Sequence, residues 1–184
     1  KIGSPLLSFL LCSLCTPLLH SLNIQDCDYE LISIDNRNHA FTSCATALNW
    51  GADHSTGKIL IFTHQDISFE KKSSLKEFGQ FIKAHPNIII GAFGARQKAY
   101  SEDYLCDTVD ECCFGMTREV FDSLRFNEKV CNGWHLYAVE MCLRAKERVK
   151  FGEGGGMQSR HSAFFRRKCR FKLYEKIQAA SCYV

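Results

Sequence analysis

The sequence lacks long apolar runs, paired metal-binding cysteine motifs and a strong net charge. No uninterrupted apolar stretch in the chain reaches the roughly 18 residues of a membrane-spanning helix. One Cys-x-x-Cys pair, Cys12 and Cys15, is embedded in leucines without a second pair, which disfavours zinc or redox chemistry. A net charge of only +3 does not indicate a nucleic-acid-binding protein. What is left is an ordinary globular composition, 46% hydrophobic and 23% charged.

The eleven cysteines are odd in number and scattered along the chain. Several fall inside apolar segments, among them Cys12, Cys44 and Cys142, where a thiol behaves as a small buried hydrophobe. This usage indicates a reducing compartment, and we expect a cytoplasmic protein. The length of 184 residues predicts one domain, residues 1–184, with a real core.

The first residues resemble the apolar part of a signal peptide, but its flanks are missing. Lys1 is the one basic residue ahead of the apolar run, and no A-x-A-like cleavage site follows it. We therefore predict a buried first strand over about residues 6–13. The chain begins without Met, so we expect that its N terminus is trimmed.

Apolar runs alternate with segments of helical periodicity along the chain. The predicted strands cover residues 6–13, 29–34, 58–63, 88–93 and 109–116, and the predicted helices cover residues 17–23, 43–53, 74–84, 118–124 and 134–148. Residues 94–105 are polar and irregular, which predicts a loop over one sheet edge. Strands that alternate with helices are typical of an α/β fold with a mainly parallel central sheet flanked by helices.

Capping signals support several of these helices. Thr42 or Ser43 can cap the second helix, and Thr117 can cap the fourth. Ser74 and Glu77 have the spacing of a capping box at the start of the third helix. In the last helix Leu136, Val139 and Leu143 share a face, which supports a helix over residues 134–148.

Polar clusters follow two of the apolar strands directly. Residues 59–63 form an unbroken apolar run that ends in His64-Gln65-Asp66, and residues 29–34 end in a second polar cluster at residues 35–38. An unbroken run is typical of a strand buried on both faces, and open α/β sheets bind ligands at the carboxyl ends of their strands. His64-Gln65-Asp66 is therefore the candidate functional site at this edge of the sheet. The alternative is that these residues only open a solvated turn.

Six segments stand in a fixed order along the chain: residues 31–36 (LISIDN), 47–52 (ALNWGA), 57–66 (GKILIFTHQD), 109–111 (VDE), 126–128 (FNE) and 133–145 (GWHLYAVEMCLRA). Together they resemble the family 2 glycosyltransferases of the GT-A fold, in the branch that carries HQD in place of D-x-D. The resemblance covers about residues 6–165. It implies a GT-A-like sheet with a Rossmann-like nucleotide-binding half, a nucleotide-sugar donor, and transfer of the sugar to a hydroxyl acceptor, with inversion at C1.

The resemblance also implies roles for individual residues. The acid that ends the second strand contacts the nucleobase or ribose, and the last acid of the D-x-D element binds Mn²⁺ or Mg²⁺ on the donor diphosphate. The implied nucleotide contacts are Asp35, Asn36, Asn49 and Gly51, Trp134 can stack on a sugar, and the implied metal ligands are Asp66, His64 and His161. One protein carboxylate is sufficient for the cation if the diphosphate supplies the remaining oxygens.

The general base is the weak point of the resemblance. The usual E-D pair of the last core helix aligns with Tyr137 and Ala138, so the base is missing in that position. The available carboxylates are Asp110, Glu111 and Glu140. An altered mechanism, or a catalytically impaired module that binds the sugar nucleotide without turnover, is the alternative. A nucleotidyltransferase ranks lower, because residues 12–20 contain no Gly, Lys or Arg to hold a triphosphate.

The C-terminal segment, residues 160–184, is basic and aromatic. It has three interpretations: a solvated terminal helix, a clamp on the diphosphate, or a surface for anionic lipid. The third fits a peripheral contact with the inner membrane surface, where lipid-linked acceptors lie. We expect a glycan or lipid-linked glycan as acceptor, and no nucleic acid as partner.

Overall fold

A computed structural model describes residues 7–12, 16–92, 94–95, 107–150, 162–164 and 171–173, with side chains described for residues 17–92 and 107–147. In chain order the elements are β1 (Leu7–Cys12), α1 (Thr16–Asn23), β2 (Tyr29–Ile34), α2 (Cys44–Asp53), β3 (Ile59–Thr63), β4 (Ile67–Phe69), α3 (Ser74–Ala84), β5 (Ile89–Gly91), β6 (Gly94–Ala95), β7 (Thr108–Val109), β8 (Cys113–Thr117), α4 (Arg118–Leu124), α5 (Tyr137–Lys150), β9 (Ser162–Phe164) and β10 (Phe171–Leu173).

The central sheet has the strand order β2-β1-β3-β8-β5-β9 in the part of the chain that the structure describes. β1 runs parallel to both β2 and β3, with Leu7 opposite Tyr29 on one side and Ile59 on the other. β8 is antiparallel to β3 and β5, whereas β9 is parallel to β5. The predicted mainly parallel sheet is confirmed, and the carboxyl ends of β1, β2 and β3 meet at one edge.

β3 is buried on both faces, as its unbroken apolar run predicts. Leu60 and Phe62 belong to a cluster with residues of α2, α4 and α5, and Ile59 and Ile61 belong to a second cluster with residues of α1 and α3. Helices therefore cover both sides of the sheet. Each side chain of this size contributes roughly 1.5–3 kcal/mol when it is fully buried, so both layers hold β3 firmly.

Two predicted helix caps are confirmed and one is wrong. Ser43 caps α2 through a reciprocal bond with Thr46, and Thr117 caps α4. Ser74 is not the cap of α3, because it is the first helical residue and its Oγ accepts the N–H of Lys71. The N–H of Leu75 is instead satisfied by the side chain of Gln25, from the end of α1.

The strand expected over residues 109–116 is two strands with a turn between them. β7 ends at Val109 and β8 begins at Cys113. Asp110 Oδ1 accepts the N–H of Cys112 at 2.8 Å, which closes an Asx turn and interrupts the extended backbone. β7 pairs with β6, so residues 94–95 are a short strand within the segment expected to be a loop. The rest of that loop lies outside the described residues.

α5 begins at Tyr137 rather than Trp134, and the face shared by Leu136, Val139 and Leu143 is not its buried face. Leu136 has φ 68°, which no residue of a right-handed helix adopts, so the helix cannot start earlier. Leu136 is 65% exposed and Leu143 is 49% exposed. The buried face consists of Tyr137, Ala138, Met141, Cys142 and Ala145. Its small residues let α5 approach the sheet closely.

The C-terminal segment contributes backbone to two sheets. Residues 162–164 form β9 and residues 171–173 form β10, which pairs with β4 in antiparallel fashion. The interpretation of this segment as a solvated helix is therefore wrong for those residues. The remainder of residues 151–184, including His161 and the glycine-rich stretch, lies outside the described part of the chain. No helix in that described part is long and apolar enough to cross a membrane.

Candidate active site

The carboxyl end of β3 is tied to the turn between β7 and β8. The backbone N–H of His64 donates to the carbonyl of Cys112 at 2.9 Å, and the hydroxyl of Thr63 donates to the same carbonyl at 3.0 Å. Because both bonds converge on one atom, residues 64–66 and the turn at residues 110–112 are held as one edge. The sheet pairing of β3 with β8 extends this connection inward.

Asp66 has a buried carboxylate oxygen with no hydrogen-bond partner. Among the described side chains, Oδ1 of Asp66 is the one buried nitrogen or oxygen atom in this condition. A buried acceptor without a partner costs about 1–3 kcal/mol, and more if the group is charged, so in a native protein such an atom is usually satisfied by an ion, a ligand or a water. A hard divalent cation prefers carboxylate oxygen, so Asp66 fits the implied metal.

The other ligands of such a cation have to come largely from outside the described side chains. These contain no group of three or more His, Cys, Asp and Glu placed to hold a metal ion. The oxygens of a diphosphate would complete the coordination of a cation on Asp66, as they do in nucleotide-dependent enzymes that bind Mg²⁺ through one or two carboxylates. His161, the late histidine of the resemblance, lies outside the described residues.

His64 has one ring nitrogen hydrogen-bonded to a tyrosine, and its role as a metal ligand stays a prediction. Its Nε2 lies 3.1 Å from Oη of Tyr137, which is 2% exposed. Burial lowers the pKa of His64, while the charges of Asp66 and Asp110 oppose that shift. The imidazole is therefore neutral near pH 7, and its Nε2 is engaged. The residues of this bond are 73 positions apart, so the sequence carries no local signal for the role of Tyr137.

Glu111 lies beside the start of α5. Its Oε1 accepts the backbone N–H of Ala138 at 3.4 Å, and the N–H of Tyr137 also faces the carboxylate. The side chain is half-buried. Burial is the main cause that raises the pKa of Glu111; the helix N–H groups and His135 lower it, and Asp110 adds to the increase. Asp110 itself is exposed.

Glu140 is held in an ion pair inside α5. Its Oε1 accepts from Nε of Arg144 at 2.8 Å, and Asn127 donates to the same oxygen at 3.3 Å. These bonds, with the Arg144 bond first, lower the pKa of Glu140. Arg144 also donates to the carbonyls of Leu124 and Arg125 at the end of α4. This network ties α4 to α5 and makes Glu140 a weak proton acceptor.

Asp35 and Asn36 lie at the carboxyl end of β2, on the same edge as Asp66. Two strand spacings separate β2 from β3, which corresponds to roughly 10 Å sideways. Asp35 is exposed and pairs with Arg37, whose bonds lower the pKa of Asp35 to about 2. Asn36 shapes the following loop, because its side chain both donates to and accepts from the backbone of Phe41.

Asn49 and Gly51 are buried in α2, where Asn49 serves the fold. The amide nitrogen of Asn49 donates to the carbonyl of Phe126 at 3.0 Å and to Glu128, and its oxygen accepts the N–H of Phe126. These bonds fix the segment after α4 against α2. The implied contact of Asn49 and Gly51 with a nucleotide stays a prediction.

A cavity of about 600 Å³ opens beside α5. Trp134 and His135 line it, together with the exposed apolar face of Leu136, Val139 and Leu143. Trp134 is half-buried and packs its other side against the core. Leu136 and Leu143 therefore form one wall of an open cleft, which Glu140 and Arg144 also line.

No protein-family model matches the chain, and no curated protein matches it. The chain does match solved structures. The chain is similar to the mannosyltransferase PcManGT from Pyrobaculum calidifontis in complex with GDP-Man and Mn²⁺, with TM-score 0.66 and 13% identity over 96% of this chain and 59% of that one. It is similar to S. aureus TarS in complex with UDP-GlcNAc (TM-score 0.58, 13% identity, 90% of this chain, 57% of that one).

GalNAc-T7 with UDP, GalNAc and Mn²⁺ also matches, with TM-score 0.59 and 13% identity over 79% of this chain and 41% of that one. The chain therefore spans about three fifths or less of the length of these proteins. At this level of identity the likeness concerns the backbone architecture and not the substrate. The chain has the fold of the GT-A glycosyltransferases.

Proposed function

We propose that this chain is the nucleotide-sugar-binding and catalytic part of a metal-dependent glycosyltransferase. It moves a sugar from a nucleotide donor to the hydroxyl of a glycan or lipid-linked glycan acceptor, with inversion at C1. The family 2 resemblance supports this assignment. The observation that carries it is the buried Oδ1 of Asp66, which has no hydrogen-bond partner and lies at the carboxyl end of a central strand in a GT-A fold.

The proposed reaction is a single displacement. The oxygen of the acceptor hydroxyl forms a bond to C1 of the sugar while the bond from C1 to the diphosphate oxygen breaks. The electron pair of that bond leaves with the nucleoside diphosphate, and the acceptor proton moves to a carboxylate of the chain. A bound divalent cation supplies neutralisation of the charge that builds on the diphosphate.

Each part of the described edge has a proposed task. Asp66 holds the cation, with His64 kept beside it by Tyr137. Asp35, at the end of β2, approaches the nucleoside, and Asn36 fixes the loop around it. Trp134 offers an aromatic face to the sugar or acceptor in the cleft beside α5.

The proposal also includes the cellular compartment in which the protein acts. The six cysteines whose side chains the structure describes form no disulfide, which fits a reducing compartment such as the cytoplasm. A contact of the basic C-terminal segment with anionic lipid at the inner membrane surface stays a prediction, because the side chains of that segment lie outside the described residues.

Nucleotide binding tests the proposal directly. Calorimetric titration of GDP and UDP in the presence of Mn²⁺ is expected to show binding that a chelator abolishes. Replacement of Asp66 by Asn is expected to weaken that binding by about tenfold or more, because it removes a charged metal ligand. Binding that is equally tight in D66N and wild type would contradict the metal assignment.

The second candidate function is binding without turnover. Ala138, which occupies the usual base position of the resemblance, is 1% exposed and has no proton-accepting group, and Glu140 is bound by Arg144. Binding of Mn²⁺ and nucleoside diphosphate, with no release of nucleoside diphosphate from any of a panel of nucleotide sugars, would favour this function over a transferase.

A further inference from the structure

The first two positions of α5 carry no carboxylate, and the acid of its first turn, Glu140, is held by Arg144. Tyr137 and Ala138 occupy its first two positions and are 2% and 1% exposed. The Tyr137 hydroxyl is already bonded to His64. If Glu140 does not act, a transferase with this geometry needs a carboxylate from another element, because a positioned general base typically contributes about 10²–10⁴-fold to the rate.

Glu111 brings a carboxylate to this position from the turn between β7 and β8. Its Oε1 is 3.4 Å from the backbone nitrogen of Ala138, the residue that would otherwise carry the base. The turn is joined to the carboxyl end of β3, near Asp66, because the Cys112 carbonyl accepts hydrogen bonds from both Thr63 and His64. Glu111 therefore lies on the same edge as Asp66, near His135 and Cys131, which line the cleft.

The other two candidate carboxylates fit the role less well. Glu140 accepts hydrogen bonds from Arg144 and Asn127, and these bonds stabilise its charged form. Asp110 is exposed, and its Oδ1 closes the turn by accepting from Cys112. Glu111 alone among the three is half-buried and free of a bond from a charged group in the part of the chain that the structure describes.

We propose that Glu111 is the general base of this site and replaces, from a different element, the carboxylate missing at the start of α5. This inference rests on the proposed glycosyltransferase function. In the step, one oxygen of Glu111 takes the proton from the acceptor hydroxyl as that hydroxyl oxygen bonds to C1. The bond from C1 to the diphosphate breaks with its electron pair on the departing nucleoside diphosphate.

The surroundings of Glu111 predict the pH dependence. The groups that face it are Asp110, His135, the thiol of Cys131 and the first N–H groups of α5. Burial raises the pKa of Glu111 above that of an exposed glutamate. A base must be deprotonated to act, so turnover falls as the pH drops through this raised pKa. The acid limb of kcat should therefore lie at higher pH than an exposed glutamate would give.

The test compares Glu111→Gln with Glu111→Ala and with the control Glu119→Gln. Gln keeps an oxygen that can accept the N–H of Ala138 but cannot take a proton. Glu119 is an exposed glutamate in the first turn of α4, so its replacement makes the same chemical change at the start of another helix. Turnover is measured as release of nucleoside diphosphate from a panel of nucleotide sugars that includes GDP-mannose and UDP-GlcNAc, with Mn²⁺ and with water as the acceptor hydroxyl.

We expect E111Q to lower kcat by about 10²–10⁴-fold and to lose the acid limb of the pH profile, while the Kd of GDP or UDP with Mn²⁺ changes less than threefold. E119Q should keep the wild-type kcat. Thermal unfolding of each variant shows that it is folded. If Glu111 only capped α5, E111Q would turn over like wild type and E111A alone would be impaired, which would overturn the inference.

Failure of the inference and failure of the proposed function give different results. Wild-type turnover that E111Q retains contradicts Glu111 as the base and leaves the transferase assignment standing. Nucleotide binding by the wild type without turnover of any donor overturns the base assignment and supports the binding module. If neither GDP nor UDP binds with Mn²⁺, the proposed function itself is wrong.

Discussion

Gly115 leaves no room for a side chain between β8 and its neighbours. A Cβ at this position would lie 2.7 Å from the carbonyl oxygen of Leu60, 2.8 Å from Cδ1 of Ile82 and 3.2 Å from Cγ1 of Ile61. The first of these contacts is to backbone of β3, which is paired with β8 in the sheet. It cannot be relieved by a change of rotamer, so Gly115→Ala has to separate two central strands or distort α3.

The expected loss follows from two opposing terms. Overpacking of a filled core costs about 1–3 kcal/mol. Replacement of Gly by Ala also lowers the entropy of the unfolded chain, which stabilises the folded state by about 0.4–1 kcal/mol. The net loss in the free energy of unfolding is therefore about 1–2 kcal/mol, which corresponds to a decrease in Tm of about 2–8 °C for a chain of this size.

Chemical denaturation followed by circular dichroism measures this loss. Gly133→Ala is the matched control, because nothing lies within 4 Å of a Cβ built at Gly133. It should stay within about 0.5 kcal/mol of wild type. Ile82→Val removes the Cδ1 atom, so it should offset part of the cost of G115A but not the contact with Leu60. Equal unfolding free energies for G115A and G133A would refute this account of the packing between β3 and β8.

Two further substitutions test contacts around the site. Tyr137→Phe removes the hydroxyl bonded to His64 and should lower the free energy of unfolding by about 1–2 kcal/mol, measured by denaturation; no loss would contradict the bond. Asn49→Ala leaves both backbone groups of Phe126 without partners and should cost about 2–4 kcal/mol. If N49A instead unfolds like wild type but loses affinity for GDP or UDP, Asn49 contacts the nucleotide and its assignment to the fold is wrong.

The parts of the fold that the sequence predicted depend on local patterns. The apolar run of β3 and the capping residues Ser43 and Thr117 act within a few positions of themselves, and the structure confirms each of them. Asp66 followed from the same pattern, since a carboxylate at the end of a buried strand stands out in the sequence.

The features that were missed depend on contacts between distant residues. The N–H of Leu75 is satisfied by Gln25, 50 positions earlier, which no capping pattern includes. The buried face of α5 consists largely of small residues such as Ala138 and Cys142, whereas hydrophobic periodicity favoured the longer Leu143. Small residues bury less apolar area than leucines but permit closer packing. Periodicity alone does not show whether buried area or close packing determines which face of the helix is buried.

In the candidate site, too, local patterns identified some residues, and contacts between distant residues determined the rest. The resemblance located the carboxylates, but it gave no reason to prefer one of them as the base. The bond from Ala138 to Glu111 joins residues 27 positions apart, and it is this contact that distinguishes Glu111 from Asp110 and Glu140. The ion pair that occupies Glu140 spans one helical turn, and an i,i+4 Glu–Arg pair is a signal that the sequence does contain.

The most direct test of the central claim is a pair of calorimetric titrations with GDP and UDP, each with Mn²⁺ and with a chelator, on wild type, Asp66→Asn and the control Asp122→Asn. Asp122 is exposed on α4, which begins beside the amino end of β3, at the opposite end of that strand from Asp66. The account predicts Mn²⁺-dependent binding in wild type and D122N, and a loss of about tenfold or more in D66N. Binding of equal affinity in D66N, or binding that does not depend on Mn²⁺, would contradict the assignment of Asp66 as the metal ligand.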